Sequence, residues 1–181
     1  MKIILKHLYI LPLLGLLLSC SNQETLQTYY VDRAGEAEFM SIDLPSSLFV
    51  SNANFTEEEA KTMSSISKLN ILAFQANESN LDKYAEEKAM IEKILYNGKY
   101  GSLVSFSDGT QGMELLVQES NDKIKEYIVY GYNDSLGFMI ARLLGKNLNP
   151  NQMYDMMKLS DKLDMSALEN FASQLDLPKD F

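Results

Sequence analysis

Residues 103–144 read LVSFSDGTQGMELLVQESNDKIKEYIVYGYNDSLGFMIARLL, and the order of four strands follows from them. Asp108-Gly109 is a strong hairpin signal, because glycine adopts the positive φ that a tight turn between twisted strands requires. Asn121-Asp122 and Asn133-Asp134 punctuate the remainder. Leu103–Phe106, Met113–Gln118, Ile124–Tyr132 and Phe138–Leu144 therefore form four consecutive antiparallel strands. Val104 and Phe106 alternate with Ser105 and Ser107, and Met113, Leu115 and Val117 alternate with Glu114 and Gln118. One face of this first hairpin is left in water. The last two strands are apolar on both sides, with Tyr127, Val129 and Gly131 on one and Ile128, Tyr130 and Tyr132 on the other. Such strands sit centrally in a sheet or beneath a second covering layer.

Upstream of the meander the apolar period changes from two to 3.6. From Leu81, the residues Leu81, Tyr84, Ala85, Lys88, Ile91, Ile94 and Leu95 share one helical face, Asp82, Glu86, Glu87 and Lys93 lie away from it, and Asn97-Gly98 ends the helix. Before it, Leu69–Gln75 is a short apolar run that reads as a buried strand. Thr56-Glu57-Glu58-Glu59 is a capping box opening a helix that carries Ala60, Met63 and Ile66 and ends near Ser67. Phe39–Leu44 alternates and forms a short strand stopped by Pro45, followed by a helical turn over Ser46–Val50. Downstream, Asn149-Pro150 opens a helix with Met153, Met156, Met157 and Leu159. Asp164 caps a last helix with Leu168, Phe171, Ala172 and Leu175 on one side. The order implies an α+β fold: a mainly antiparallel sheet of about five strands, its last four a meander, with helices on one face and C-terminal helices beyond.

The N-terminal segment has a different character. Lys2 and Lys6 precede an apolar run from Ile10 to Leu18, too short for a membrane span of about 20 residues but suited to a cleaved signal. It ends in Leu17-Leu18-Ser19-Cys20, which resembles the bacterial lipoprotein lipobox. That resemblance implies removal of residues 1–19 and acylation of Cys20 as the new N-terminus. The stretch 20–36 is polar apart from Leu26 and Tyr29-Tyr30-Val31 and reads as a tether, with docking of the two tyrosines as the alternative; residues 37–181 then form a single domain.

Composition narrows the chemistry. The net charge of −9 becomes −11 when the two signal lysines are lost, which argues against nucleic acid and against electrostatic adhesion to anionic membranes. Cys20 is the one cysteine and His7 the one histidine. A mature chain with an acylated Cys20 and no His7 is without triads, thiolate nucleophiles and Cys/His zinc sites. No cofactor or metal is expected, and the chain reads as a non-enzyme. Ser65-Ile66-Ser67-Lys68 has the Ser-x-x-Lys spacing of penicillin-recognising enzymes but lacks their companion motifs. Glu114 and Glu119, with Asp108, are the carboxylates for a hydrolase alternative, although acids are common on wet sheet faces and no tryptophan is present to form a sugar platform. Met153, Met156 and Met157 suit core packing better than copper(I), and Glu57-Glu58-Glu59 suits capping better than calcium. If one face of the double-sided strands is open, Leu116, Tyr130, Tyr132 and Arg142 form a partner surface, with Phe171 of the last helix as a second contact.

The lipobox, Phe39-Met40-Ser41-Ile42-Asp43-Leu44-Pro45 before a capped helix, Lys68-Leu69-Asn70-Ile71-Leu72, the hairpin series and Leu143-Leu144-Gly145-Lys146-Asn147 ahead of a C-terminal helix together resemble the lipoproteins labelled domain of unknown function 4252. The resemblance implies a small lipid-anchored envelope protein and transfers no functional residue. The expected protein is an outer-membrane lipoprotein facing the periplasm, a non-catalytic module for an envelope partner. A carboxylate hydrolase and an envelope-stress sensor are the alternatives.

Overall fold

A computed structural model describes residues 24–50, 54–121, 123–148 and 158–175, together with Pro150 and Tyr154. The expected signal (1–19), Cys20 and the trio Met153, Met156 and Met157 lie outside the described residues. Helices α1 (Leu26–Arg33), α2 (Ser46–Val50), α3 (Glu57–Ser64), α4 (Leu81–Leu95) and α5 (Ser166–Gln174) accompany strands β1 (Phe39–Pro45), β2 (Ile66–Gln75), β3 (Gly101–Ser107), β4 (Gln111–Ser120), β5 (Lys123–Asn133) and β6 (Gly137–Leu148). The strands make one sheet in the order β1-β2-β6-β5-β4-β3, and every neighbouring pair is antiparallel. The α+β class and the four-stranded meander are as the pattern implies. The sheet has six strands where about five were expected, because Phe39–Pro45 pairs along its whole length with Lys68–Phe74.

Two turns show why the meander is legible. Gly109 has φ +98° at the β3–β4 turn, where Asp108 Oδ1 accepts from the N–H groups of Thr110 and Gln111, both at 2.9 Å. Gly137 has φ +116° at the start of β6, and a Cβ there would collide with the carbonyl of Phe74 on β2. Only glycine satisfies both the conformation and the close approach.

Both sides of the double-faced strands are covered. On one side Phe39, Leu72, Phe74, Leu116, Ile128, Tyr130, Phe138 and Ile140 pack beneath Leu26, Tyr29 and Tyr30 of α1 and Tyr84, Ile91, Ile94 and Leu95 of α4. Phe39 meets Phe74 edge-on at 5.0 Å and Phe74 stacks on Phe138 at 5.6 Å, both geometries that the ring quadrupoles favour. On the other side Ile71 and Ala73 pack against Phe171 and Leu175, while Leu44, Val117, Tyr127 and Leu143 gather with Met63 of α3 and Leu159. That cover stops short of the β3 end of the sheet.

Three expectations need correction. The tether does not run to residue 36: Thr25 caps α1 through a capping box, and Leu26, Tyr29 and Tyr30, at 1%, 0% and 5% exposure, dock on the sheet. Their spacing is the i, i+3, i+4 of a helical stripe, hidden among polar neighbours. Second, the buried line of α4 is Tyr84, Glu87, Ile91, Ile94 and Leu95, while Leu81 and Ala85 are exposed. Glu87 turns inward because α1 brings it partners: Tyr29 Oη donates to it at 2.8 Å and Arg33 Nε at 2.9 Å. A carboxylate so paired tolerates burial that an isolated one does not. Third, α3 ends at Ser64, and Ile66 opens β2.

Candidate functional site

The expected partner surface is not a surface. Leu116 and Tyr130 are 1% exposed, Arg142 4% and Phe171 6%; Tyr132 alone is half-buried. Leu116 and Tyr130 lie beneath α4, and Phe171 closes the opposite core layer. Arg142 reaches Glu126 across the β5–β6 ladder, with Nε and Nη2 on the same oxygen at 2.9 and 2.8 Å, and gives Nη1 to Gln27 of α1 at 3.0 Å. It is a core ion pair. Leu116, Tyr130, Tyr132 and Arg142 share one face of the sheet, whereas Phe171 packs on the other, so the five are not brought together; apolarity on both sides of β5 and β6 meant two covered faces.

The open chemistry lies one strand further out. Glu92 and Tyr96, four residues apart at the end of α4, face Ser105 and Ser107 of β3, Glu114 of β4, and Tyr130 and Tyr132 of β5 across a cleft of about 170 Å³. Tyr96 Oη donates to Glu114 Oε2 at 2.7 Å, Tyr130 Oη to Glu92 Oε1 at 3.2 Å, and the Tyr132 and Ser107 hydroxyls share a bond of 2.7 Å. Lys88 Nζ stands 3.8 Å from the Tyr132 ring centroid and 2.9 Å from Asp134 Oδ1, so the rim carries a cation held over an aromatic face. Burial first, then the adjoining Glu114 carboxylate, push the Tyr96 hydroxyl well above the ordinary tyrosine range; burial and Glu92 do the same to Tyr130. Phenols held neutral donate hydrogen bonds but are poor proton-transfer groups near neutral pH. The cleft is equipped to bind.

The other sequence candidates are dispersed. Glu114 and Glu119 are five residues apart on β4, on the order of 16 Å along the strand, beyond the roughly 9.5 Å that a carboxylate pair spans. Asp108 spends its oxygens on the backbone and side chains of Thr110 and Gln111, which hold its carboxyl down at about 2. Ser65 caps the end of α3 and donates to Thr62 O at 2.6 Å, whereas Lys68 lies in β2, so the two are not on one helix. Glu59 accepts from the Thr56 N–H at 2.8 Å and from Lys162 at 2.7 Å, which accounts for the acidic run as a cap. Among the described residues, no three His, Cys, Asp or Glu side chains are grouped to hold a metal. Sequence reading missed Glu92 and Tyr96; their i, i+4 spacing at the helix end was the available signal.

Beside the cleft runs an uncovered apolar strip. All seven residues of β3 are exposed, and Leu103, Val104, Phe106 and Met113 each expose half or more of their surface, Phe106 reaching 61%. Register pairs Phe106 with Met113 and Val104 with Leu115, so these side chains share the face opposite to Ser105 and Glu114. A second groove, about 340 Å³, separates Met40, Ser41 and Ile42 of β1 from Ala167, Asn170, Phe171 and Gln174 on α5. Among the described residues no helix is long and apolar enough to cross a membrane.

No curated protein and no solved structure matches the chain. Residues 29–173 match the family described as Domain of unknown function (DUF4252), a span that runs from the buried Tyr29 of α1 to the last turn of α5 and takes in the whole sheet. With that match covering most of its length, the chain belongs to the DUF4252 family.

Proposed function

We propose that this protein is a lipid-anchored component of the cell envelope, held in the outer membrane by acyl chains on Cys20 and facing the periplasm, and that it works as a non-catalytic binding module. The observation that carries the reading is the exposed β3 edge, with Leu103, Val104, Phe106 and Met113 in water beside a cleft of hydrogen-bonding tyrosines and carboxylates. Val104, Phe106 and Met113 are over half exposed and contiguous on one sheet face, and such a patch marks a contact surface more often than it marks chance. The docked α1 supports the same geometry. Its cap at Thr25 starts the domain five residues after Cys20, so the domain would ride within about 18 Å of the bilayer.

The test is in-cell crosslinking from a photo-reactive residue at position 106, with Cys20→Ala as control. One abundant adduct, lost together with acyl labelling in the control, is the expected outcome. A carboxylate-dependent hydrolase is the second reading, favoured by one observation, that Glu92 and Glu114 line the same cleft. Turnover of a substrate by the purified chain, abolished by Glu92→Gln or Glu114→Gln, would replace the first reading with the second.

A further inference from the structure

The two edges of the sheet are built differently. β1 carries Asp43 mid-strand and ends on Pro45, and Asp43 has Lys68 of β2 within 3.9 Å; charge and proline are devices that discourage pairing at an edge. β3, GSLVSFS, has neither, and of the six strands it alone contains no charged residue. In a chain of net charge −9, β3 is the strand that brings no charge of its own to a contact between two copies.

Its hydrogen-bonding groups are also disposed for pairing. Asp108 N–H donates to Gln111 O at 3.0 Å, closing the hairpin. The alternation of an antiparallel ladder then turns the backbone N–H and C=O of Ser105 and Ser107 away from β4, with no strand beyond them among the described residues. Upstream, the register shift between Ser102 and Val104 interrupts the regular edge, so its flat part is Val104–Ser107.

Resting on the reading of β3 as a contact surface, we infer that its occupant is a second copy of this chain, paired antiparallel along β3 about a two-fold axis through Ser105. A two-fold axis perpendicular to a sheet preserves its faces, so directly opposed residues must have the same parity. Centring on Ser105 sets Val104 of each copy against Phe106 of the other on the uncovered apolar face. The contact is self-complementary, as a closed two-fold interface requires. It satisfies the free backbone groups by strand addition and extends six strands to a continuous sheet of twelve. Anchoring through Cys20 would confine both copies to one membrane plane and raise their effective concentration.

The experiment is proximity crosslinking in intact cells. Full-length chain carrying Ser105→Cys is treated with a short bis-maleimide, with the unaltered chain, whose one cysteine is Cys20, as blank and Glu86→Cys on the exposed side of α4 as control. A covalent dimer from Ser105→Cys above both controls is expected. Adding Phe106→Lys should lower it roughly tenfold or more, because it sets like charges within the paired strands. A dimer yield no higher than that of Glu86→Cys overturns the inference. If a photo-reactive residue at 106 then captures a different protein, the binding-module reading stands without self-pairing; if it captures nothing, both fall.

Discussion

Arg142 is 4% exposed, and replacing Glu126 by alanine would leave its guanidinium with Gln27 Oε1, at 3.0 Å, as its remaining side-chain partner. Removing one member of a buried ion pair costs about 3–5 kcal/mol, since the surviving charge is desolvated without compensation. A domain of this kind is stable by about 5–15 kcal/mol in total, so roughly a fifth of its stability or more would go. At roughly 2–4 °C per kcal/mol for its size, Tm should fall by about 6–20 °C. Changing both partners, Glu126→Leu with Arg142→Met, removes both charges and fills the volume with apolar atoms. Such replacements are often neutral or stabilising, so the double variant should melt within a few degrees of the parent or above it. Urea and thermal unfolding of residues 21–181, followed by circular dichroism, measures all of these. A loss below about 1 kcal/mol for Glu126→Ala, or a double variant as unstable as the single, would refute the view that Arg142 is held in the core by charge pairing. The same data separate two roles for Arg142: a residue on a partner surface could be lost without unfolding the chain.

Tyr29→Phe removes the hydroxyl that donates to buried Glu87 and leaves Arg33 as that carboxylate's partner; it should cost about 1.5–3 kcal/mol by urea unfolding and loosen α1 selectively by amide exchange. Thr56→Ala deletes the cap of α3, whose hydroxyl accepts from Glu59 N–H at 3.3 Å, and should cost about 1 kcal/mol in the same assay. Burial above all pushes the hydroxyls of Tyr30 and Tyr100 up to about 12. The folded chain thus holds protons that the unfolded chain releases near pH 10, so this stability is complete below pH 10 and is lost as pH rises from 10 towards 12; a urea midpoint flat across that window would contradict it. Phe106→Asp should move stability by no more than about 0.5 kcal/mol, because the ring is solvent-exposed, while abolishing crosslinking through β3.

The amino-acid sequence by itself determined the elements whose cause is local. Asp108-Gly109 set a hairpin because positive φ is cheap only for glycine, the Thr56–Glu59 box started α3, the alternation from Val104 to Val117 fixed which hairpin side chains face together, and the DUF4252 pattern was present in the same residues. What lies between elements was decided by tertiary structure. For Tyr130 and Arg142 the sequence reading leaned towards a covered layer and kept an open hot spot as the alternative, because the period of a strand tells which residues share a face and nothing about what covers it. Cover came from α1 and α4, and α1 was hard to see because three apolar residues among polar ones bury themselves only once β1, β2 and α4 form their dock. Glu87 changed sides for the same reason: its burial depends on Tyr29 and Arg33, 58 and 54 residues away. The tyrosine–carboxylate cleft is likewise a product of packing, since Glu92 and Glu114 belong to a helix and a strand that meet only when the sheet is assembled. Local conformational preference is carried by a few neighbouring residues, whereas exposure is a property of the surfaces that distant segments leave uncovered.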